Sequence, residues 1–172
     1  MIEIVETKLS DMKVIEPIYA YAREYMRQTG NPNQWKDNRP LLSVLKRDIE
    51  NGNSFLIKEE CEICGVFSFI KGIDSTYLKM KEGQWLNDEP YGTIHRIASN
   101  GKIKGILKIA LDFGLNQVEN IRIDTHKDNK VMIHLLEKYG FKRCGVIIVD
   151  DGTDREAFQK VNKKKQSKEH SK

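Results

Sequence analysis

The stretch SNGKIKGILK, Ser99 to Lys108, sets two glycines and three lysines where a strand-like apolar run gives way to a helical one. Such a junction can hold an anion. The first turn of a helix carries backbone N–H groups without intrahelical partners and a partial positive charge, and Lys102, Lys104 and Lys108 stand beside it. The donors would be the amides around Gly105, Ile106 and Leu107. Taken alone, the stretch also reads as an ordinary connection, because glycine and lysine are common in loops. Four residues before Ser99 stands His95, and histidine is the side-chain type suited to moving a proton at neutral pH; a hydrogen bond within a sheet is its other reading. Trp35 and Trp85, with Asp88 and Glu89, can wall a pocket that attracts a cation, or serve as loop anchors and solvated charges. Cys61-x-x-Cys64 has no second ligand pair for zinc and sits at a strand start rather than a helix N-terminus, so neither a metal nor a redox role is assigned.

These residues need elements to position them. IEIVET fits a short first strand, and apolar residues recurring at three and four from Ser10 to Thr29 predict a helix, stopped by Gly30 and broken or kinked at Pro17. After the turn-rich GNPNQWKDNRP, Pro40 opens a second helix reaching about Glu50. SFLIKEECEICGVFSFI divides at its charged centre into a hairpin, and a long polar segment runs from Lys71 to Pro90. YGTIHRIAS then reads as a strand, Lys104 to Asn116 as an amphipathic helix and NIRIDT as a strand. NKVMIHLLEKY is a further helix, capped by Asp128 and ended by Gly140, and FKRCGVIIV and REAFQK close the sheet. This order predicts an α/β domain: a mixed, twisted sheet of about six or seven strands with helices on both faces, whose ligands favour strand-to-helix junctions.

The totals bound the partners. At 172 residues the chain suits one domain, expected over residues 1–160, with a basic, disordered tail over 161–172. That tail holds five lysines and one glutamate, which leaves 24 basic and 24 acidic residues in the remainder. A neutral folded part argues against nucleic acid as a partner. No stretch has the length and apolarity of a bilayer span, so no membrane partner and a cytoplasmic location are expected. Monomer and homodimer are both compatible with the sequence.

The element order and two local patterns resemble the GNAT superfamily of acyl-CoA-dependent N-acetyltransferases, over roughly residues 1–160. IRIDTHKDNKVMIHLLEKYGFKRCGV is similar to the family's strand, Asn-headed helix and final Gly-Phe strand, with Asn129, Glu137, Lys138, Gly140 and Phe141 at matching spacing. HRIASNGKIKGILKIAL is similar to its strand, pyrophosphate loop and helix, although Lys102, Ile103 and Leu107 depart from the usual residues. Leu136 stands where many members have a proton-donating tyrosine. The resemblance implies acetyl-CoA as cosubstrate. Ile97, Ala98 and Ser99 would pair with the pantetheine arm, Lys102, Lys104, Gly105, Ile106, Leu107 and Lys108 would hold the diphosphate, and Asn129 would bond the arm or cap its helix. His95, on the strand that flanks the thioester, becomes the candidate base, and Trp35 and Trp85 candidate walls for the acceptor. The activity implied is direct acetyl transfer to a primary amine of a small molecule or peptide. The alternative, motivated by Leu107 and Leu136, is a CoA-binding or interaction module without turnover.

Overall fold

The computed structural model describes residues 1–162. The chain runs β1 (Ile2–Glu6), α1 (Met12–Gln28), α2 (Leu42–Glu50), β2 (Ser54–Glu59), β3 (Glu62–Lys71), β4 (Glu82–Gly83), β5 (Gly92–Ser99), α3 (Ile106–Leu115), β6 (Asn120–Thr125), α4 (Lys130–Lys138), β7 (Lys142–Ile148) and β8 (Asp154–Val161). The eight strands form one sheet in the order β1-β2-β3-β5-β6-β8-β7-β4. The expected mixed sheet is present, with one more strand than expected: β4 is two residues long, lies inside the polar 71–90 segment and pairs with β7 at the sheet edge. All neighbours run antiparallel except β5 and β6.

Both faces of the sheet are covered. On one face α3 and α4 bury Ile106, Leu107, Ala110, Leu111 and Leu136 against Phe67, Phe69, Ile94, Ile121, Ile123 and Phe158. Period-two alternation sends Leu56, Val66 and Ala98 to the other face, where Ile15, Ile18, Tyr19 and Ala22 of α1 and Leu45 and Ile49 of α2 meet them. Burial on both sides explains why β3 reads as a mostly apolar run, broken within its buried stretch only by Ser68. The half of that second face lying over β7 and β8 is covered by the 71–90 segment instead: Tyr77 and Tyr91 are buried against Ile147 and Ala157, with Trp85 packed beside them.

Several local expectations are corrected. α1 continues through Pro17, whose ring removes only one backbone donor near the start of a helix that Ile15, Ile18 and Tyr19 anchor to the core. Pro40 lies two residues before α2, not at its first turn. The cap of α4 is Asn129, whose side chain accepts from the Met132 N–H at 3.1 Å; Asp128 sits outside. β8 continues to Val161, so the ordered sheet includes the first residue assigned to the tail. The rest of that tail, 163–172, lies outside the described residues.

Candidate active site

β5 and β6 pair only at Gly92↔Ile121 and Thr93↔Arg122. Beyond those rungs the two parallel strands separate, and the helices that follow them, α3 and α4, both begin at the opening. Helix N-termini at the carboxyl ends of parallel strands put unpaired N–H groups around a crevice, as in other α/β sheets. A bulge in β5 shapes this opening. Val66 pairs with Ala98 but Ser68 pairs with His95, so Arg96 and Ile97 face the single residue Phe67, and Arg96 takes φ +50°. Three contacts pin the bulge from the α1 and α2 side. Tyr19 Oη donates to the Arg96 carbonyl at 2.6 Å, Arg96 Nε donates to Asp48 Oδ2 at 2.6 Å, and Ser68 Oγ donates to the same oxygen at 2.8 Å. Burial drives the Tyr19 phenol far above its ordinary value, so it stays a donor.

Two cavities meet at this bulge. The first, of 350 Å³, is bounded by Tyr21 and Tyr25 of α1, by Ile97, Ala98 and Ser99, by Gly105 and Ile106, and by Leu135 and Tyr139 of α4. Its mouth is the 99–108 connection. The early part of that connection is internally bonded: Gly101 N–H donates to Ser99 Oγ at 3.0 Å, Lys102 N–H to Asn100 Oδ1 at 3.0 Å and Asn100 N–H to the Cys64 carbonyl at 3.0 Å. From Ile103 to Lys108, no N–H finds an acceptor among the described residues. Gly105, at φ +80°, turns the chain into α3, and a Cβ there would meet nothing within 4 Å. Ile106 and Leu107 direct their side chains into the core while these amides remain free. Lys102 is paired with Glu62, and Lys108 Nζ lies 2.6 Å from Asp112; Lys104 has no ion pair among the described residues.

The second cavity, of 460 Å³, shares Met26, Ile97, Leu107, Asn129 and Met132 with the first. His95 stands in its wall, on the sheet face it shares with Asp124, since Thr93 pairs with Arg122 two residues earlier on each strand. His95 Nε2 lies 2.8 Å from Asp74 Oδ2, and its Nδ1 lies 3.9 Å from Asp124 Oδ1. Tyr77 Oη donates to Asp124 Oδ1 at 2.5 Å. Burial, then Asp124 itself, raises the Tyr77 phenol well above its ordinary value, which keeps it a donor. Burial pushes the Asp74 carboxyl upward, but the His95 contact and the Thr76 amide outweigh it and hold the group below its ordinary value. Gln34 ties the walls together, its Oε1 accepting from Asn31 Nδ2, Thr125 Oγ1 and Asn129 Nδ2 at 2.9, 3.2 and 3.0 Å.

The opening thus brings His95, the 97–99 edge, the 103–108 amides, Asn129 and Trp35 around one connected space. Trp35 lines the second cavity, edge-on to Tyr19 with ring centroids 5.6 Å apart. Trp85 is a correction. It lines neither cavity, its indole N–H donates to the Tyr77 carbonyl at 2.8 Å, and Arg122 stacks over its ring at 4.3 Å. Asp88 and Glu89 lie exposed outside both cavities, and Asp74 and Asp124 provide the acidic wall. No sequence signal singled out these two, since each reaches His95 only through the fold. Tyr77, Gln34 and the Arg96 bulge were missed for the same reason.

No family model and no curated protein matches the chain. Solved structures do. An acetyltransferase of the GNAT family from Streptococcus agalactiae is 30% identical, with TM-score 0.82 over 95% of this chain and 96% of its own. A putative acetyltransferase from Staphylococcus aureus, at 23% identity and TM-score 0.67, covers 93% of this chain and 99% of its own. A putative acetyltransferase from Salmonella typhimurium, solved with its cofactor acetyl-CoA, is 14% identical with TM-score 0.59 over 99% of each chain. The latter two show likeness of fold alone.

Proposed function

The chain belongs to the GNAT family of acetyltransferases, and from that premise we propose that it transfers an acetyl group from acetyl-CoA to a primary amine by direct attack. One observation carries this reading: the separation of β5 from β6 joins a cavity mouthed by free amides to a cavity holding a histidine between two carboxylates. The residues present fit an acyl-CoA. The 103–108 amides suit the oxygens of a diphosphate, and Lys104, with Lys102 and Lys108 once released from exposed pairs of small worth, adds charge. The 350 Å³ cavity gives an apolar lining for the pantetheine arm along Ile97–Ser99. Asn129 is occupied as a cap and as a donor to Gln34, so its contribution is to fix the start of α4 at the opening.

Acetyl-CoA supplies the acetyl group and a thiolate that leaves. The chain's own residues manage the proton and the approach. An amine near pKa 10 enters charged, and Asp124 attracts it. With Nε2–H directed at Asp74, His95 presents an unprotonated Nδ1 toward Asp124, where it takes a proton from the ammonium and leaves a neutral nucleophile. The bulge holds the Ile97–Ser99 edge against the shared wall of the two cavities, which aligns the reacting groups. The attacking nitrogen gives up its second proton to solvent as the adduct collapses, and the departing thiolate takes its proton from solvent, since the buried Leu136 offers none.

Two measurements test the reading. Acetyl-CoA at a thousand times its Kd should stabilise the fold by about 4 kcal/mol, a rise in Tm of roughly ten degrees for a chain this size. Free thiol should then be released in proportion to added amine. Binding without release across a broad amine panel would leave only a CoA-binding module.

A further inference from the structure

We infer that the acceptor carries a carboxylate close to its amine, as an amino acid does, and that Arg155 recognises it; this rests on the acetyltransferase reading above. Arg155 lies in the wall of the same 460 Å³ cavity as His95 and Asp124. Asp124 pairs with Ala157 across β6 and β8, so Arg155, two residues along, projects from the same sheet face. Strand spacing puts the two backbone positions on the order of 8 Å apart, within the reach of one arginine side chain and a small molecule.

Arg155 is a buried cation, 6% exposed, with no carboxylate within 4.0 Å among the described residues. Buried charges are normally paired in contact, so a guanidinium that touches no carboxylate has room for a partner. Its Nη1 is spent on Thr153 Oγ1 at 2.7 Å and the Asp154 carbonyl at 2.9 Å, and Nη2 gives one bond to the Gln34 carbonyl at 3.2 Å. The Nε–H and the second Nη2–H keep no acceptor among the described residues, and that edge of a guanidinium takes a carboxylate side-on. The other buried arginine of this face differs: Arg122 is stacked between Trp85 and Tyr91, and its Nε is sealed from any ligand. Of the nearby acids, Asp150 pairs with Arg39 at 2.7 Å, and Asp151 feels the Arg155 charge only through space and through Thr153, without an ion-pair contact. The cavity therefore offers Asp74 of the 71–90 segment and Asp124 of β6 to an ammonium and an unsatisfied guanidinium on β8, a match for a zwitterion.

Matched pairs test this: L-phenylalanine against phenethylamine, L-leucine against isopentylamine, and β-alanine against ethylamine. Each is assayed for acetylation and for the melting shift it adds to the acetyl-CoA-loaded protein. At least one amino acid should exceed its decarboxylated partner in kcat/KM by about tenfold or more, the worth of one charge-assisted bidentate contact. Arg155→Met should erase that preference through KM. Arg155→Lys, which keeps the charge but loses the planar fork, should reduce it and serves where the methionine variant does not fold. Amines acetylated as well as or better than every paired amino acid would overturn the inference and leave the acetyltransferase reading intact. So would a preference that survives in folded Arg155 variants. Absence of any acetyl-CoA shift would instead overturn that reading and this inference together.

Discussion

His95 is held on one ring nitrogen and left open on the other, an asymmetry that gives it direction. Asp74 at 2.8 Å fixes Nε2 as the donor, while 3.9 Å separates Nδ1 from Asp124, enough for a substrate nitrogen to compete. His95→Gln should therefore lower kcat by about 10²- to 10⁴-fold, the usual worth of a general base. An unchanged kcat would remove His95 from the reaction. The Asp74 contact also predicts a stability effect. Its carboxyl titrates below the ordinary value in the folded protein, so the unfolded chain binds the proton more readily. The stabilisation is thus present above the ordinary carboxylate range and fades as pH falls through it. In Asp74→Asn, Tm should depend less on pH in that acid range; a slope equal to that of the parent would refute the link. Gly105 is a second residue-scale test. With open space around a Cβ, Gly105→Ala meets only the left-handed backbone, at about 1 kcal/mol, and should still bind acetyl-CoA. Gly105→Glu adds an anion at the free amides and should abolish the acetyl-CoA melting shift.

The bulge in β5 is the element on which the geometry turns. A non-glycine residue at φ +50° is strained by roughly 1 kcal/mol, and glycine would relieve it. Yet Arg96→Gly would leave Asp48, 2% exposed, without its cation, at about 3–5 kcal/mol. The ion pair wins, so Arg96→Gly should lower denaturation midpoints despite easing the backbone; an increase would show that strain dominates. Tyr19→Phe acts on the same bulge from α1, removing the donor to the Arg96 carbonyl at a cost of about 1–2 kcal/mol. It should also slow turnover more than acetyl-CoA binding, because it loosens the strand edge and leaves the free amides of 103–108 alone.

Across the whole molecule, the sheet is covered unequally, and the site lies where the covers meet. α1 and α2 cap one part of a face and the 71–90 segment caps the rest, and Asp74 and Tyr77 reach His95 and Asp124 from that segment. Its attachment is aromatic: Trp85 tilts on Tyr77 at 5.1 Å between centroids, and Arg122 lies between Trp85 and Tyr91. Trp85→Ala should destabilise by about 3 kcal/mol and raise hydrogen exchange selectively in residues 71–91. It should reduce kcat without touching either cavity. Uniform exchange would show the segment folds with the rest as one unit. No helix of the described residues is long and apolar enough to cross a membrane.

The sequence alone determined most of the elements and the 99–108 turn, because those depend on short-range rules. Apolar residues at three and four set α1, α3 and α4, a mostly apolar run set β3, and SNGKIKGILK marked its own turn through Gly105. The resemblance to the family lay in local patterns for the same reason. The polar wall of the second cavity was decided only in three dimensions. Asp74 stands 21 residues from His95 in the chain, and Arg155 comes from β8, two strands over from β5. Trp85 reads in the sequence as Trp35's equal, yet one lines the cavity and the other braces Tyr77 from behind. Polar groups scattered along a chain have no periodicity to betray them. The separation of β5 from β6, set by a single bulge and the packing on both faces, decides which of them meet.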